Sequence, residues 1–182
     1  METDKQALQA FLAPLVHRVT ETYTWPLARF TVNTYLHDTP PPITSILSVR
    51  AVVLRNQAVL VVRDPTSYHI LPGGRREAGE SLVETVVREV LEETGWQIAL
   101  GPLLGFKHFH RLTPVPAEMP LSPADFAQLV YVATAVAYRP EAMEQDGYEL
   151  GAEFVPLSAI TQVALQENEQ LFLQAALAVI DV

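Results

Sequence analysis

The chain has 182 residues, a formal net charge of −9 and 49% apolar residues, which predicts one folded domain with a substantial core and excludes a largely disordered protein. It contains no cysteine, which excludes disulfides, thiolate metal sites and cysteine nucleophiles. Its 12 lysines and arginines form no dense cluster, so we expect no stable nucleic-acid partner.

Neither a secretory signal nor a membrane span is indicated. The polar, acidic start METDKQ is unlike a signal peptide. The longest apolar run, residues 129–138, is too short to cross a bilayer. We therefore expect a cytoplasmic protein without a membrane partner.

Residues 1–42 are expected to form an extension, a helix and a strand, that packs on a main domain of residues 43–182. Apolar residues follow helical spacing at Leu8, Phe11, Leu12, Leu15 and Val19. Pro14 lies inside this pattern and is expected to kink or shorten the helix. Residues 29–36 alternate like a strand, and the DTPPP sequence that follows predicts a stiff linker.

From residue 45 onward the sequence alternates between strand and helix patterns, which favours an α/β fold with a mixed sheet between helical layers. Segments 45–54 and 58–64 predict a hairpin around a turn at 55–57. A helix is expected from about Ser81 to Thr94, ended by Gly95. The remaining predicted elements are strands at 68–71, 102–112 and 128–138, a strand and short helix over 153–160, and a helix at 169–180.

Glu89, Glu92 and Glu93 crowd one part of the predicted helix 81–94, in its C-terminal half. Like charges three and four residues apart destabilise a helix, and the helix dipole is also negative there. A hard divalent cation bound by these oxygens would reverse that cost. Arg88 can also orient a carboxylate by pairing with Glu84 or Glu92. An ordinary solvated acidic face is the alternative interpretation.

The spacing around these glutamates resembles the Nudix box of the Nudix hydrolase (MutT-like) family. Gly74 is followed after five residues by Glu80, and after seven more by REVLEETGW, residues 88–96. Every defined position of the box matches, and the resemblance covers about residues 45–165. The residues that mark Nudix subfamilies downstream of the box do not identify the substrate. ADP-ribose hydrolases tend to have a proline about fifteen or sixteen residues beyond the box, whereas Pro114 lies eighteen residues beyond Trp96. Diadenosine polyphosphate hydrolases tend to have a tyrosine in this region, and no tyrosine occurs between 97 and 130.

The resemblance implies a Nudix-type α/β/α sandwich that hydrolyses the pyrophosphate bond of a nucleoside diphosphate linked to another group X. It implies Mg²⁺ or Mn²⁺ held by the Gly74 carbonyl with Glu89, Glu92 and Glu93, which are also the expected catalytic residues. Glu80 and Arg88 would brace the loop and helix. Glu92 is the favoured general base. A base from a later loop stays open, with the candidates Glu141, Glu144, Glu149 and Glu153.

Several residues outside the box are candidates for substrate binding. Arginines on the two strands of the predicted hairpin and after the Gly-Gly turn could neutralise phosphate, and one side of the strand 105–111 could stack a base and hold phosphate. The candidates are Arg50, Arg63, Arg75, Phe109 and Arg111. His108 and His110 could chelate a metal, although ordinary strand positions are the simpler interpretation. Trp25 and Trp96 are expected to be packing residues.

Two functions remain open from the sequence. One is a metal-dependent hydrolase acting on a nucleotide-type small molecule. The other is a non-catalytic Nudix module that senses a nucleotide or sugar nucleotide. The complete set of carboxylates favours the enzyme, because a sensor could lose metal ligands without penalty. A homodimer is compatible with either function.

Overall fold

The computed structural model describes residues 2–25, 28–114, 124–144 and 150–180. Within these ranges the chain forms three α-helices, nine strands and three short 3-10 helices. The helices are α1 (Glu2–Leu12), α2 (Leu82–Thr94) and α3 (Glu167–Val179). The strands are β1 (Val19–Trp25), β2 (Ala28–Leu36), β3 (Ile46–Arg55), β4 (Ala58–Arg63), β5 (Tyr68–His69), β6 (Gly73–Arg75), β7 (Trp96–Arg111), β8 (Asp125–Tyr138) and β9 (Gly151–Pro156).

The strands join in one mixed sheet, as the sequence predicted. Its order is β1-β2-β7-β8-β3-β4-β5, while β6 pairs with β3 and β9 pairs with β4. The β3–β8 pair is parallel, and the other pairs are antiparallel. The β3–β4 hairpin turns at Asn56 and Gln57, which both have positive φ. Such a two-residue turn matches the twist of adjacent strands.

Helices cover both faces of this sheet, which confirms the expected α/β/α layers. Along β3, Val49 and Val53 pack in one core with Leu8 of α1 and Val86 of α2. The alternate position Val52 packs in a second core with α3. Because side chains alternate across a strand, α3 and the other two helices lie on opposite faces.

The first residues differ in detail from the prediction. Helix α1 ends at Leu12, so Pro14 shortens it, and Val19 begins strand β1 instead of extending the helix. Strand β1 was not predicted, because an apolar residue at position 19 also fits the helical period. Strand β2 was predicted at 29–36, and it places the β1–β2 hairpin against β7. The division of the chain at residue 42 remains a prediction.

The later elements agree in kind and differ in length. Strand β7 begins at Trp96, six residues before its expected start, directly after α2. The proline-rich segment 115–123 and residues 145–149 lie outside the described residues. No helix in the described part of the chain is long and apolar enough to cross a membrane.

Gly105 marks a close approach of two strand backbones. A Cβ at this position would lie 1.9 Å from the Tyr35 carbonyl oxygen of the adjacent strand β2. Neither backbone can move aside without breaking the β2–β7 pairing. We expect Gly105→Ala to lower the free energy of unfolding by about 3 kcal/mol or more, measured by urea denaturation. Gly101→Ala on the same strand is the milder control, because its Cβ would lie 3.0 Å from a Val132 methyl and no closer than 3.2 Å to a backbone atom, the Val132 carbonyl oxygen. An equal loss in both variants would contradict this assignment.

Candidate active site

Helix α2 is set by local signals at both ends. The Ser81 side chain accepts from the Glu84 N–H, and the Glu84 carboxylate accepts from the Ser81 N–H, so the pair forms a capping box. Gly95 ends the helix with a left-handed φ of 72° and bonds the Leu91 carbonyl. These two caps fix where α2 begins and ends, and therefore where the glutamates between them lie on the helix.

One side of α2 anchors the helix to the sheet. Val86 and Val90 are fully buried against β3, and Thr85 is buried beside them. Val83, by contrast, is exposed. Glu89, Glu92 and Glu93 are each only partly buried, so the acidic residues lie where the helix face meets the neighbouring β6 and loop segments.

Arg88 is the centre of a charge network on α2. Its guanidinium donates to Glu80 Oε1 at 2.6 Å and to Glu92 Oε2 at 2.8 Å, and lies 3.1 Å from Glu89 Oε1. It also donates to the Arg75 carbonyl at 3.3 Å. The expected i,i+4 pair with Glu92 is confirmed, whereas Glu84 is used by the helix cap. Arg88 thus compensates the crowded carboxylates within the protein itself.

Glu89 lies directly against Gly74. A Cβ added to Gly74 would lie only 2.1 Å from Glu89 Oε2, so a glycine is needed here to leave room for the carboxylate. Burial raises the pKa of Glu89, and the nearby Arg88 partly offsets this effect. A carboxylate that is desolvated in this way is stabilised by a cation next to it.

Glu93 connects α2 to the turn that precedes β6. Its Oε2 accepts from the Gly73 N–H at 2.8 Å, and its Oε1 lies 3.7 Å from the Arg50 guanidinium. Arg50 also donates to the Leu71 carbonyl at 3.2 Å. The helix, the glycine turn and β3 therefore meet at this carboxylate.

The oxygen donors needed for Mg²⁺ or Mn²⁺ are close to one another, but they are not assembled. Across residues 2–25, 28–114, 124–144 and 150–180, no three His, Asp or Glu side chains form a ready metal site. Glu89 and Glu92 instead share Arg88. The donor set still fits a hard cation in chemistry, because it offers carboxylate oxygens beside the small Gly74. The ligand roles of Gly74, Glu89, Glu92 and Glu93 remain predictions.

A cavity of about 490 Å³ opens beside Glu93. Two predicted substrate residues line it, Arg50 and Phe109, and Phe109 is itself almost fully buried and stacked on Phe126 at 4.6 Å. The other three predicted arginines are not among its described lining residues. Arg63 and Arg75 are exposed strand residues, and Arg111 lies over the Phe30 ring at 5.1 Å.

Most of the groups in this cavity were not predicted from the sequence. Lys107 of β7, His69 of β5, and Asn168 and Glu169 of α3 line it from three separate elements. Burial lowers the pKa of Lys107 to about 8 and also lowers the pKa of His69, while burial raises the pKa of Glu169. Trp25, which was expected only to pack, also lines the cavity. No local motif could signal these residues, because the fold brings them together over long range.

His108 and His110 are held by a carboxylate. Both rings bond Asp125 Oδ1, at 3.1 and 2.7 Å respectively. These bonds lower the pKa of Asp125 to about 2. The pair therefore has a structural partner on the neighbouring strand β8, which agrees with the simpler interpretation of these histidines.

The late candidates for a general base occupy different positions in the fold relative to α2. The Glu144 N–H donates to the Glu92 carbonyl at 2.9 Å, so Glu144 stands at the C-terminal end of α2. Glu141 belongs to a short 3-10 helix, and Glu153 is exposed on β9. Glu149 lies outside the described residues. The short helix of Glu141 and the strand of Glu153 also contact α2, and Glu144 is the described candidate whose backbone is hydrogen-bonded to it.

Glu80 gives the Arg88 network a pH signature. Hydrogen bonds from Arg88, and also from the Glu77 N–H, lower the pKa of Glu80 to about 2. A lowered pKa in the folded state means that this stabilisation is complete above the unfolded pKa, near 4.5, and is lost as pH falls through 2. We expect wild-type stability to fall more steeply than that of Glu80→Gln between pH 4.5 and 2, measured by urea denaturation. Parallel curves would contradict this role.

Comparison with known proteins agrees with the geometry. A family model described as the NUDIX domain matches residues 44–175. A Bacillus subtilis protein named "Putative 8-oxo-dGTP diphosphatase" is 49% identical over 49 residues, which is 27% of this chain and 33% of that protein. The chain therefore aligns with only about a third of the length of this curated relative.

Solved structures share the fold at low sequence identity. A NUDIX hydrolase from Nitrosomonas europaea is 21% identical with a TM-score of 0.56, covering 72% of this chain and 87% of that one. A variant of the Bacillus subtilis pyrophosphohydrolase BsRppH is 20% identical with a TM-score of 0.53, covering 74% and 77%. An ADP-ribose pyrophosphatase from Streptococcus suis is 17% identical with a TM-score of 0.51, covering 76% and 95%.

Proposed function

Because this chain belongs to the NUDIX domain family, we propose that it is a metal-dependent hydrolase of nucleotide pyrophosphates. The bond cleaved is the pyrophosphate link of a nucleoside diphosphate joined to another moiety. The family match over residues 44–175 and the complete box from Gly74 to Trp96 support this proposal.

One structural observation carries the proposal. Glu93, on the acidic helix, lines the same cavity as the cationic Arg50, and the cavity also has the aromatic residues Tyr23, Trp25 and Phe109 in its wall. A nucleotide needs all three kinds of surface: cationic groups for phosphate, oxygen ligands for a metal and aromatic rings for a base. The arrangement therefore suits a phosphorylated ligand with a ring.

The proposed roles follow from the contacts. Gly74, Glu89, Glu92 and Glu93 would hold Mg²⁺ or Mn²⁺, which would supply charge neutralisation at phosphate and an acidified water. Glu92 would take the proton from the attacking water, and Arg88 orients Glu92 through its 2.8 Å bond. Arg50, which lines the cavity, would neutralise a phosphate oxygen there. Glu80 holds Arg88 in place from the other side.

A sensor without catalysis is the alternative function. The observation that favours it is the pairing of Glu89 and Glu92 with Arg88, which satisfies these carboxylates without any metal. A sensor would bind a nucleotide in the cavity and leave it intact. Binding without turnover in the presence of Mg²⁺ would favour this alternative.

The test is hydrolysis of a panel of nucleoside diphosphate derivatives and nucleoside triphosphates by the purified protein. 8-oxo-dGTP belongs in the panel because of the name of the Bacillus subtilis relative. Released phosphate is measured after coupled phosphatase digestion, with Mg²⁺, with Mn²⁺ and with excess EDTA. We expect turnover of at least one compound with metal and none with EDTA. Metal-independent turnover, or no turnover of any compound, would overturn the proposal.

Two further expectations complete the proposed function. The enzyme would act in the cytoplasm on a small nucleotide, without a nucleic-acid or membrane partner. A homodimer is compatible with the exposed edge of β1, which ends the sheet. Both expectations remain predictions.

A further inference from the structure

One wall of the cavity comes from a part of the chain outside the family match. Tyr23 and Trp25, at the end of β1, line the cavity together with Arg50 and Glu93. The family match begins at residue 44, so the β1–β2 hairpin lies outside the matched residues. A family-wide motif therefore gives no information about this wall.

The Trp25 ring packs against buried aromatic rings, and part of it is exposed to solvent. Its centroid lies 4.7 Å from that of Phe30 and 5.9 Å from that of Phe109, whose plane is inclined by 30°. The residue is nevertheless 43% exposed. Packing holds the indole in position, and the exposed part of the ring is available to another flat ring.

Hydrogen bonds join the β1–β2 hairpin to the start of α3. They hold the hairpin residues in place in the cavity wall. The Tyr23 hydroxyl donates to Gln166 Oε1, and the Asn168 amide donates to Tyr23 Oη at 3.0 Å and to Glu21. Asn168 is fully buried, and its Oδ1 has no hydrogen-bond partner among the described residues. An acceptor is therefore left open in a residue that lines the cavity.

Lys107 supplies a cation at the same place. Its ammonium nitrogen lies 5.7 Å from the ring centroids of both Tyr23 and Phe109, and the residue is only 7% exposed. It makes no side-chain hydrogen bond or ion pair with the residues that the structure describes. Three N–H donors are thus available to an acceptor in the cavity.

From these contacts we propose that Trp25 stacks on the nucleobase of the substrate, while Lys107 donates a hydrogen bond to an acceptor on that base. Trp25 and Lys107 are thus specificity-determining residues, and the hairpin selects substrates that carry an aromatic heterocycle. This inference rests on the proposed function, because it identifies one part of the ligand of the same cavity.

Tryptophan fluorescence tests the stacking without any turnover. The chain has two tryptophans, so Trp25→Phe leaves only Trp96 and Trp96→Phe leaves only Trp25. In metal-free buffer we expect AMP, GMP, CMP or UMP to quench wild type and Trp96→Phe, and not Trp25→Phe. Inorganic pyrophosphate, which has no ring, should quench none of the three. Equal quenching of Trp25→Phe and wild type would overturn the inference.

Kinetics give the second readout. One stacked base is worth about 1–3 kcal/mol, so we expect Trp25→Ala to raise KM for the preferred nucleotide about 5-fold to 150-fold, with a smaller change in kcat. Trp25→Phe should recover most of this loss. Tyr138→Ala is the matched control, because Tyr138 is an exposed aromatic residue on β8 that packs on Trp96 away from the cavity.

The outcomes separate this inference from the proposed function. Turnover with unchanged KM in Trp25→Ala would leave the hydrolase standing and overturn the stacking role. Quenching that depends on Trp25, without turnover of any compound, would support the stacking role and overturn the hydrolase. Lys107→Met should weaken binding of AMP, GMP, CMP and UMP at least tenfold, and wild-type affinity for all four would contradict the role of Lys107.

Discussion

Replacing Glu92 with glutamine is expected to lower kcat by about a hundredfold to ten-thousandfold, the usual contribution of a positioned general base. The fold should persist, because the amide oxygen of a glutamine can still accept the bond that Arg88 now makes to Glu92 Oε2 at 2.8 Å. The measurement is kcat at saturating Mg²⁺ and substrate, together with the thermal melting temperature of each variant.

Two companion variants make the Glu92 result decisive. Glu144→Gln removes the late candidate whose N–H bonds the Glu92 carbonyl, and Glu167→Gln removes an exposed carboxylate at the start of α3. We expect wild-type kcat from Glu167→Gln and only a small loss from Glu144→Gln. A large loss in Glu144→Gln with a near-normal Glu92→Gln would move the base from the helix to the later segment.

Gly74→Ala is expected to abolish most metal binding while leaving the fold in place. The new Cβ would lie 2.1 Å from Glu89 Oε2 and 2.3 Å from its carboxyl carbon. The end of a glutamate side chain can move aside, so the cost is a displaced carboxylate and not a broken sheet. We expect at least a tenfold loss of Mn²⁺ affinity by calorimetric titration, with a parallel fall in kcat.

Gly73→Ala provides the contrast one residue earlier. Its Cβ would lie 2.3 Å from the Val49 carbonyl oxygen and 2.9 Å from the Arg50 Cα, which are backbone atoms, and its φ of 132° disfavours a side chain. This variant should lose stability in urea. Unchanged Mn²⁺ affinity in Gly74→Ala would show that the space beside Glu89 does not serve a metal.

The sequence predicted the parts of the site that are encoded locally. The start of α2 at Ser81, the glycine that ends it and the Arg88–Glu92 pair all depend on residues within one or two helical turns. Fixed residue types at fixed spacing are enough to place such features. The mixed sheet between helical layers also followed from the order of apolar patterns along the chain.

The cavity could not be predicted in the same way. Tyr23, Lys107 and Asn168 are separated by more than 60 residues from one another, and meet because β2 pairs with β7 and α3 lies beside the hairpin. Arg63 and Arg111 looked equally suitable in the sequence, yet neither is among the described residues that line the cavity. Strand pairing, and not the kind of residue, decides which cations reach the cavity.

The placement of β2 between β1 and β7 has a practical consequence for anyone who trims this protein. A shortened chain that starts near residue 44 would leave the hydrogen-bonding groups of β7 without their neighbour, and it would lose Trp25 at the same time. Bare strands of this kind recruit other chains, so such a fragment should aggregate even though it retains every residue of the box.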